Sequence, residues 1–75
     1  MTAAETLDAT DLSGVAAVVF AAKATRFLSR GSYVALALAS ADDVAEVRAW
    51  ARWAGHGFRA GLNEHHVVLI VRQGR

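Results

Sequence analysis

The sequence predicts a small α/β protein, an α+β two-layer sandwich in which two helices cover one face of a four-stranded mixed sheet. Three observations predict it. Residues 33–39, YVALALA, alternate strictly: Val34, Leu36 and Leu38 share one face, and Tyr33, Ala35, Ala37 and Ala39 share the other. Two segments with apolar residues at helical spacing flank that strand. Two apolar runs separated by a polar turn close the chain and read as a hairpin. The order is βαβαββ. The first two strands are then parallel, joined by a right-handed crossover, and both helices lie on one face of the sheet. A ferredoxin-like βαββαβ order would need another strand between the helices, and the chain has no room for it.

Each element has its own signal. A short strand is expected at Glu5–Ala9 and a loop at Thr10–Gly14, where Ser13 or Asp11 can cap the following helix. That helix is expected over Val15–Arg30, stopped by Gly31. Its inner face reads as Ala16, Phe20, Ala24 and Phe27, flanked by Ala17 and Leu28. After the strand at Tyr33–Ala39, Ser40 opens S-A-D-D, a cap followed by acidic residues that suit a helix N-terminus. The second helix is expected over Asp42–Ala54, with Val44, Val47, Ala51 and Ala54 inward and Trp50 at the border. Gly55-His56-Gly57 ends it. Strands at Phe58–Leu62 and His66–Arg72 follow, joined by a turn around Asn63–Glu64.

Composition bounds the chemistry. The 75 residues suit one domain. A chain of this length buries only about 60% of the surface its unfolded form exposes. The apolar share is 55%, much of it alanine, and there is no cysteine. Neither a disulfide nor a thiolate metal site can therefore support the fold. The formal charge of +1 is too small to argue by field alone for nucleic acid or a membrane surface, and neither is expected as a partner. The longest uncharged runs, Leu12–Ala22 and Gly31–Ala41, fall short of the ~20 residues of a membrane span. Glu5, Asp8 and Asp11 near the start do not fit a basic signal leader. The expectation is a cytoplasmic protein without membrane contact.

Three stretches carry a resemblance to a known family. LDATDL (7–12) resembles the first strand of the TusA/SirA-like sulfur carriers and the turn into their motif. AWARWAGHGF (49–58) resembles the end of their second helix, where an aromatic residue precedes a Gly-His pair, here Gly55 and His56. LIVRQG (69–74) resembles their closing strand. The resemblance runs along nearly the whole chain and implies the same two-layer sandwich. The family's working motif is Cys-Pro-x-Pro at the first helix start, where the helix N-terminus stabilises a thiolate or persulfide. The aligned residues here are Gly14, Val15, Ala16 and Ala17. Neither the hydroxyl of Ser13 nor the thioether of Met1 can hold transferable sulfur. The resemblance thus implies a relative that keeps the fold without the carrier chemistry, with no catalytic residue and no cofactor.

The remaining candidates are surfaces. The stretch Val15 to Ala22 has no polar side chain. With Ala16, Ala17 and Phe20 inward, Val15, Val18, Val19 and Ala22 are expected outside, in line with Lys23, Arg26 and Arg30. Apolar surface edged by cations suits a docking face. Gly14, Val15, Val18, Val19, Lys23, Arg26 and Trp53 are the expected partner-binding residues. The open sheet face, with Tyr33, Ala35, Ala37, Ala39, Val68 and Ile70 rimmed by Arg59, His66 and Arg72, could pair two copies as a homodimer. His56, His65 and His66 do not form a metal-ligand pattern, since adjacent strand residues point to opposite faces. His56 is expected to order the loop after the second helix. The leading expectation is a non-catalytic protein-binding domain, an accessory or regulatory subunit whose partner is a sulfurtransferase or oxidoreductase. The alternatives are an anion or ligand pocket at the Gly14 helix start, and an auxiliary factor that positions a partner's thiol.

Overall fold

The computed structural model describes residues 6–60 and 66–74. The expected turn at Asn63–Glu64, His65 and Met1 lie outside the described residues. The elements are β1 (Thr6–Ala9), α1 (Val15–Arg26), β2 (Tyr33–Leu38), α2 (Ala41–Ala54), β3 (Gly57–Ala60) and β4 (Val67–Val71). They form one four-stranded sheet in the order β1-β2-β4-β3. β1 runs parallel to β2, and β4 runs antiparallel to both β2 and β3. This is the expected two-layer architecture, with both helices on one face.

Register decides which side chains meet the helices. Leu7 pairs with Leu36 and Ala9 with Leu38. Val34 pairs with Ile70, Leu36 with Val68, and Phe58 with Ile70. Residues directly opposite share a face, so these form the inner face, and Leu36, Leu38, Val68 and Ile70 are buried there. Each such aliphatic side chain contributes about 1.5–3 kcal/mol on full burial. The helices answer with small residues. Ala17 and Ala21 from α1 and Val47 and Ala51 from α2 are fully buried, so both helix backbones approach the sheet closely. Of the largest fully buried side chains, Leu36, Leu38, Val68 and Ile70 come from the strands and Val47 and Thr25 from the helices.

Three expectations need correction here. Val68 and Ile70 belong to the helix-covered face, not the open one. The open face carries Tyr33, Ala35 and Ala37 paired with Val71, Leu69 and Val67, and Arg59 beside Leu69. Arg72 leaves that rim as well, because its guanidinium turns to the helix side. The second correction is the rotation of α1. Its buried stripe is Ala17, Ala21 and Thr25, while Phe20, Ala24 and Leu28 pack at the core's edge. Ala16 is exposed, and Phe27, expected inside, is 84% exposed. Val18 packs against the core instead of joining the outer line.

The third correction is the end of α1, four residues early. Thr25 Oγ1 donates to the Ala21 carbonyl at 2.8 Å, a back-bond that weakens a helix end. Arg72 Nη1 then donates to the carbonyls of Arg26 at 2.6 Å and Leu28 at 2.9 Å. Two carbonyls beyond the helix's bonding are satisfied by a side chain from the far end of the chain. Gly31 is not the cap. It lies at φ 89° in the following turn, and its N–H donates to the Arg72 carbonyl at 2.7 Å.

Candidate functional site: the groove between the two helices

The start of α1, where the family resemblance puts its motif, is built around a glycine backbone. Gly14 is the N-cap at φ 57° and ψ −128°, a left-handed conformation that L side chains rarely adopt. No side chain of its own segment caps α1, and its first turn has no acidic residue. Neither Ser13 nor Asp11 does the capping. The carboxylate of Asp43, on α2, accepts from the Gly14 N–H at 2.8 Å. Asp43 is 3% exposed, and its Oδ2 has no hydrogen-bond partner among the described residues. An internal carboxylate thus holds the place an external anion would take at this helix end, and would repel it.

The more open ground lies between the helices, towards their other end. An open groove of about 490 Å³ runs there. From α1, Val19, Ala22, Lys23 and Arg26 line one wall, the i, i+3, i+4, i+7 spacing of a single helix face. From α2, Trp50, Trp53 and Ala54 line the other. Thr25 lies at the floor, and Ala22 and Ala54 are too small to close the gap. His56 and Arg72 complete the lining.

Trp53 is 83% exposed. Val19 is 44% exposed, and Val15, the first residue of α1, is 75% exposed. Three of the expected docking residues, Val19, Lys23 and Arg26, therefore share one groove with Trp53. Val15 stays on the exposed side of α1, Gly14 lies under Asp43 and Val18 in the core's edge. Sequence reasoning missed Trp50, Ala54, His56 and Arg72 as walls of the same feature. Only the i, i+3 spacing of the two tryptophans hinted at a shared face.

His56 and Arg72 fix the groove's far end. His56 Nδ1 accepts from the backbone N–H groups of Gln73 at 3.2 Å and Gly74 at 3.0 Å. Two donors facing Nδ1 require it to be unprotonated, so the neutral ring carries its proton on Nε2. The Trp50 and His56 rings meet at 5.4 Å with a 55° tilt. Burial, then the nearby Arg72 charge, lowers the His56 pKa below the usual 6.5. Gly74 packs against the Ala54 carbonyl, where a Cβ would collide. The His56 ring thus ties the turn after α2 to Gln73 and Gly74, which follow β4.

Among the described residues the lining contains no carboxylate, and no group of three or more His, Asp or Glu could hold a metal ion. No described helix is long and apolar enough to cross a membrane. Comparison with protein-family models, curated proteins and solved structures finds no match to this chain. The sulfur-carrier resemblance rests on the three quoted stretches alone.

Proposed function

We propose that this chain is a non-catalytic protein-binding domain that docks its partner along the α1–α2 groove. One observation carries the reading: the exposed indole of Trp53 stands beside Val19, Lys23 and Arg26 on a single concave surface. A tryptophan left in water in a chain this short gives up burial that the core could use. Trp and Arg are also the side chains that most often anchor interfaces. The cysteine-free sequence supports the non-catalytic part, since persulfide transfer needs a thiol. The resemblance of residues 7–12, 49–58 and 69–74 supports a sulfur-handling or redox assembly as the setting, with this chain as its accessory or regulatory subunit.

Photo-crosslinking in the source cell tests the reading. A benzophenone amino acid at Val19 should give a discrete heavier adduct, and the same group at Ala45, exposed outside the groove, should not. Equal adduct patterns from both positions, or none from Val19, would remove the groove as the docking face.

A further inference from the structure

We infer that the groove takes a short acidic segment of the partner, with one apolar side chain seated between Trp53 and Val19 and flanking carboxylates on Lys23 and Arg26. This rests on the docking reading and adds the chemistry of what docks. The chain is close to neutral, with 8 Lys and Arg against 7 Asp and Glu. The groove is not: Lys23, Arg26 and Arg72 line it, and among the described residues no Asp or Glu does. Both helices end near it, and a helix C-terminus carries about −0.5 charge. Two such ends offset only about one of the three formal charges, so the groove stays positive.

Position separates the parts. The Arg72 guanidinium is committed to the carbonyls of Arg26 and Leu28, so it supplies field more than contacts. Lys23 and Arg26 are exposed on the α1 wall and reach outward. Opposite them the α2 wall is aromatic. An occupant must therefore offer negative charge and apolar surface together. A basic segment would meet like charges, and a cation would find no carboxylate among the described lining residues. A nucleic-acid backbone would need a longer basic track than two exposed side chains. A small anion would sit poorly, because such ligands are held by pockets that enclose most of their surface. An extended or helical segment can lie along an open groove and bury its apolar side chain there.

The test titrates the full chain, isotope-labelled for NMR, with three short synthetic peptides sharing a Leu-Phe core. The core is flanked by Glu, by Gln or by Lys. The Glu peptide should bind at least about tenfold tighter than the Gln peptide, and the Lys peptide weakest, because like-charge contacts at an interface are strongly penalised. Shifts should fall on Ala22, Lys23, Arg26 and the Trp53 indole N–H. In a Lys23→Glu, Arg26→Glu double variant, whose changes are exposed and leave the core intact, the ranking should invert. Trp53→Ala should weaken all three peptides alike. Equal affinities, shifts on the sheet face, or an unchanged ranking in the double variant would overturn the acidic occupant. So would self-association of the free chain that Trp53→Ala abolishes, since a second copy would then fill the groove. If the peptide ranking fails while Val19 still forms its adduct, the acidic occupant falls and the docking face stands; if both fail, both fall.

Discussion

Asp43 does for α1 what Ser40 does for α2. Ser40 Oγ accepts from the Asp43 N–H at 3.2 Å, an ordinary N-cap. The Asp43 side chain then crosses to the Gly14 N–H of the other helix. The two helix starts are thus linked through one residue, and α1 needs no capping side chain of its own. Asp43→Ala should cost about 1–3 kcal/mol, because a part-buried N–H loses its acceptor. Asp43→Asn keeps an oxygen for Gly14 and should cost less. Urea midpoints of the two variants check this; equal losses would mean that the Gly14 bond contributes little. The buried stripe of α2 is Asp43, Val47 and Ala51, where the sequence pointed to Val44, Val47, Ala51 and Ala54. Read alone, Asp43 looked like one more acid in a first helical turn.

At the scale of elements, pattern had phase in some places and none in others. β2 alternates small and large residues, so the sequence showed which of its faces is inner. β4 reads VVLIV, apolar at every position, and a period of two cannot tell its faces apart. Only pairing against β2 sets its phase, which is why Val68 and Ile70 were expected on the wrong face. The first half of α1 has the same difficulty. It is apolar all round, so its buried stripe could be rotated by one residue without any conflict in the sequence. The parity of β4 is testable. Val68→Asp places an unpaired carboxylate in the core and should cost about 3 kcal/mol or more. Leu69→Asp, half-buried on the open face, should cost roughly 1–2 kcal/mol. Chemical denaturation that ranked them the other way would refute the register.

For the whole molecule, charge is separated along the helix axes. Asp42 and Asp43 stand in the first turn of α2, while Lys23 and Arg26 stand in the last turn of α1 and Arg52 in the last turn of α2. Each set complements the helix dipole at its own end. That general arrangement was legible in the sequence. The groove was not, because Arg72 and His56 reach it only through the final crossing of the chain. That same crossing ties the end of β4 to both helices, through Arg72 to α1 and through His56 to the turn after α2. The tie titrates. Burial and Arg72 lower the His56 pKa in the folded chain, so between that value and the unfolded value of 6.5 the unfolded chain binds more protons. The contribution of His56 is complete above the unfolded value and is lost as pH falls through the folded one. A proton on Nδ1 would face the Gln73 and Gly74 N–H groups and break both bonds. Stability should therefore decline as pH falls through the unfolded value of 6.5 and on through the lower folded one. Asp8, whose pKa the Thr10 hydroxyl and N–H lower from 3.8, titrates below that window and does not confuse it. His56→Gln should flatten the decline, and the protection of the Gln73 and Gly74 amides, taken relative to their intrinsic exchange rates at each pH, should fall in the native chain over the same range. A variant that kept the native slope would move the titrating group elsewhere and leave the tail's attachment to Arg72 alone.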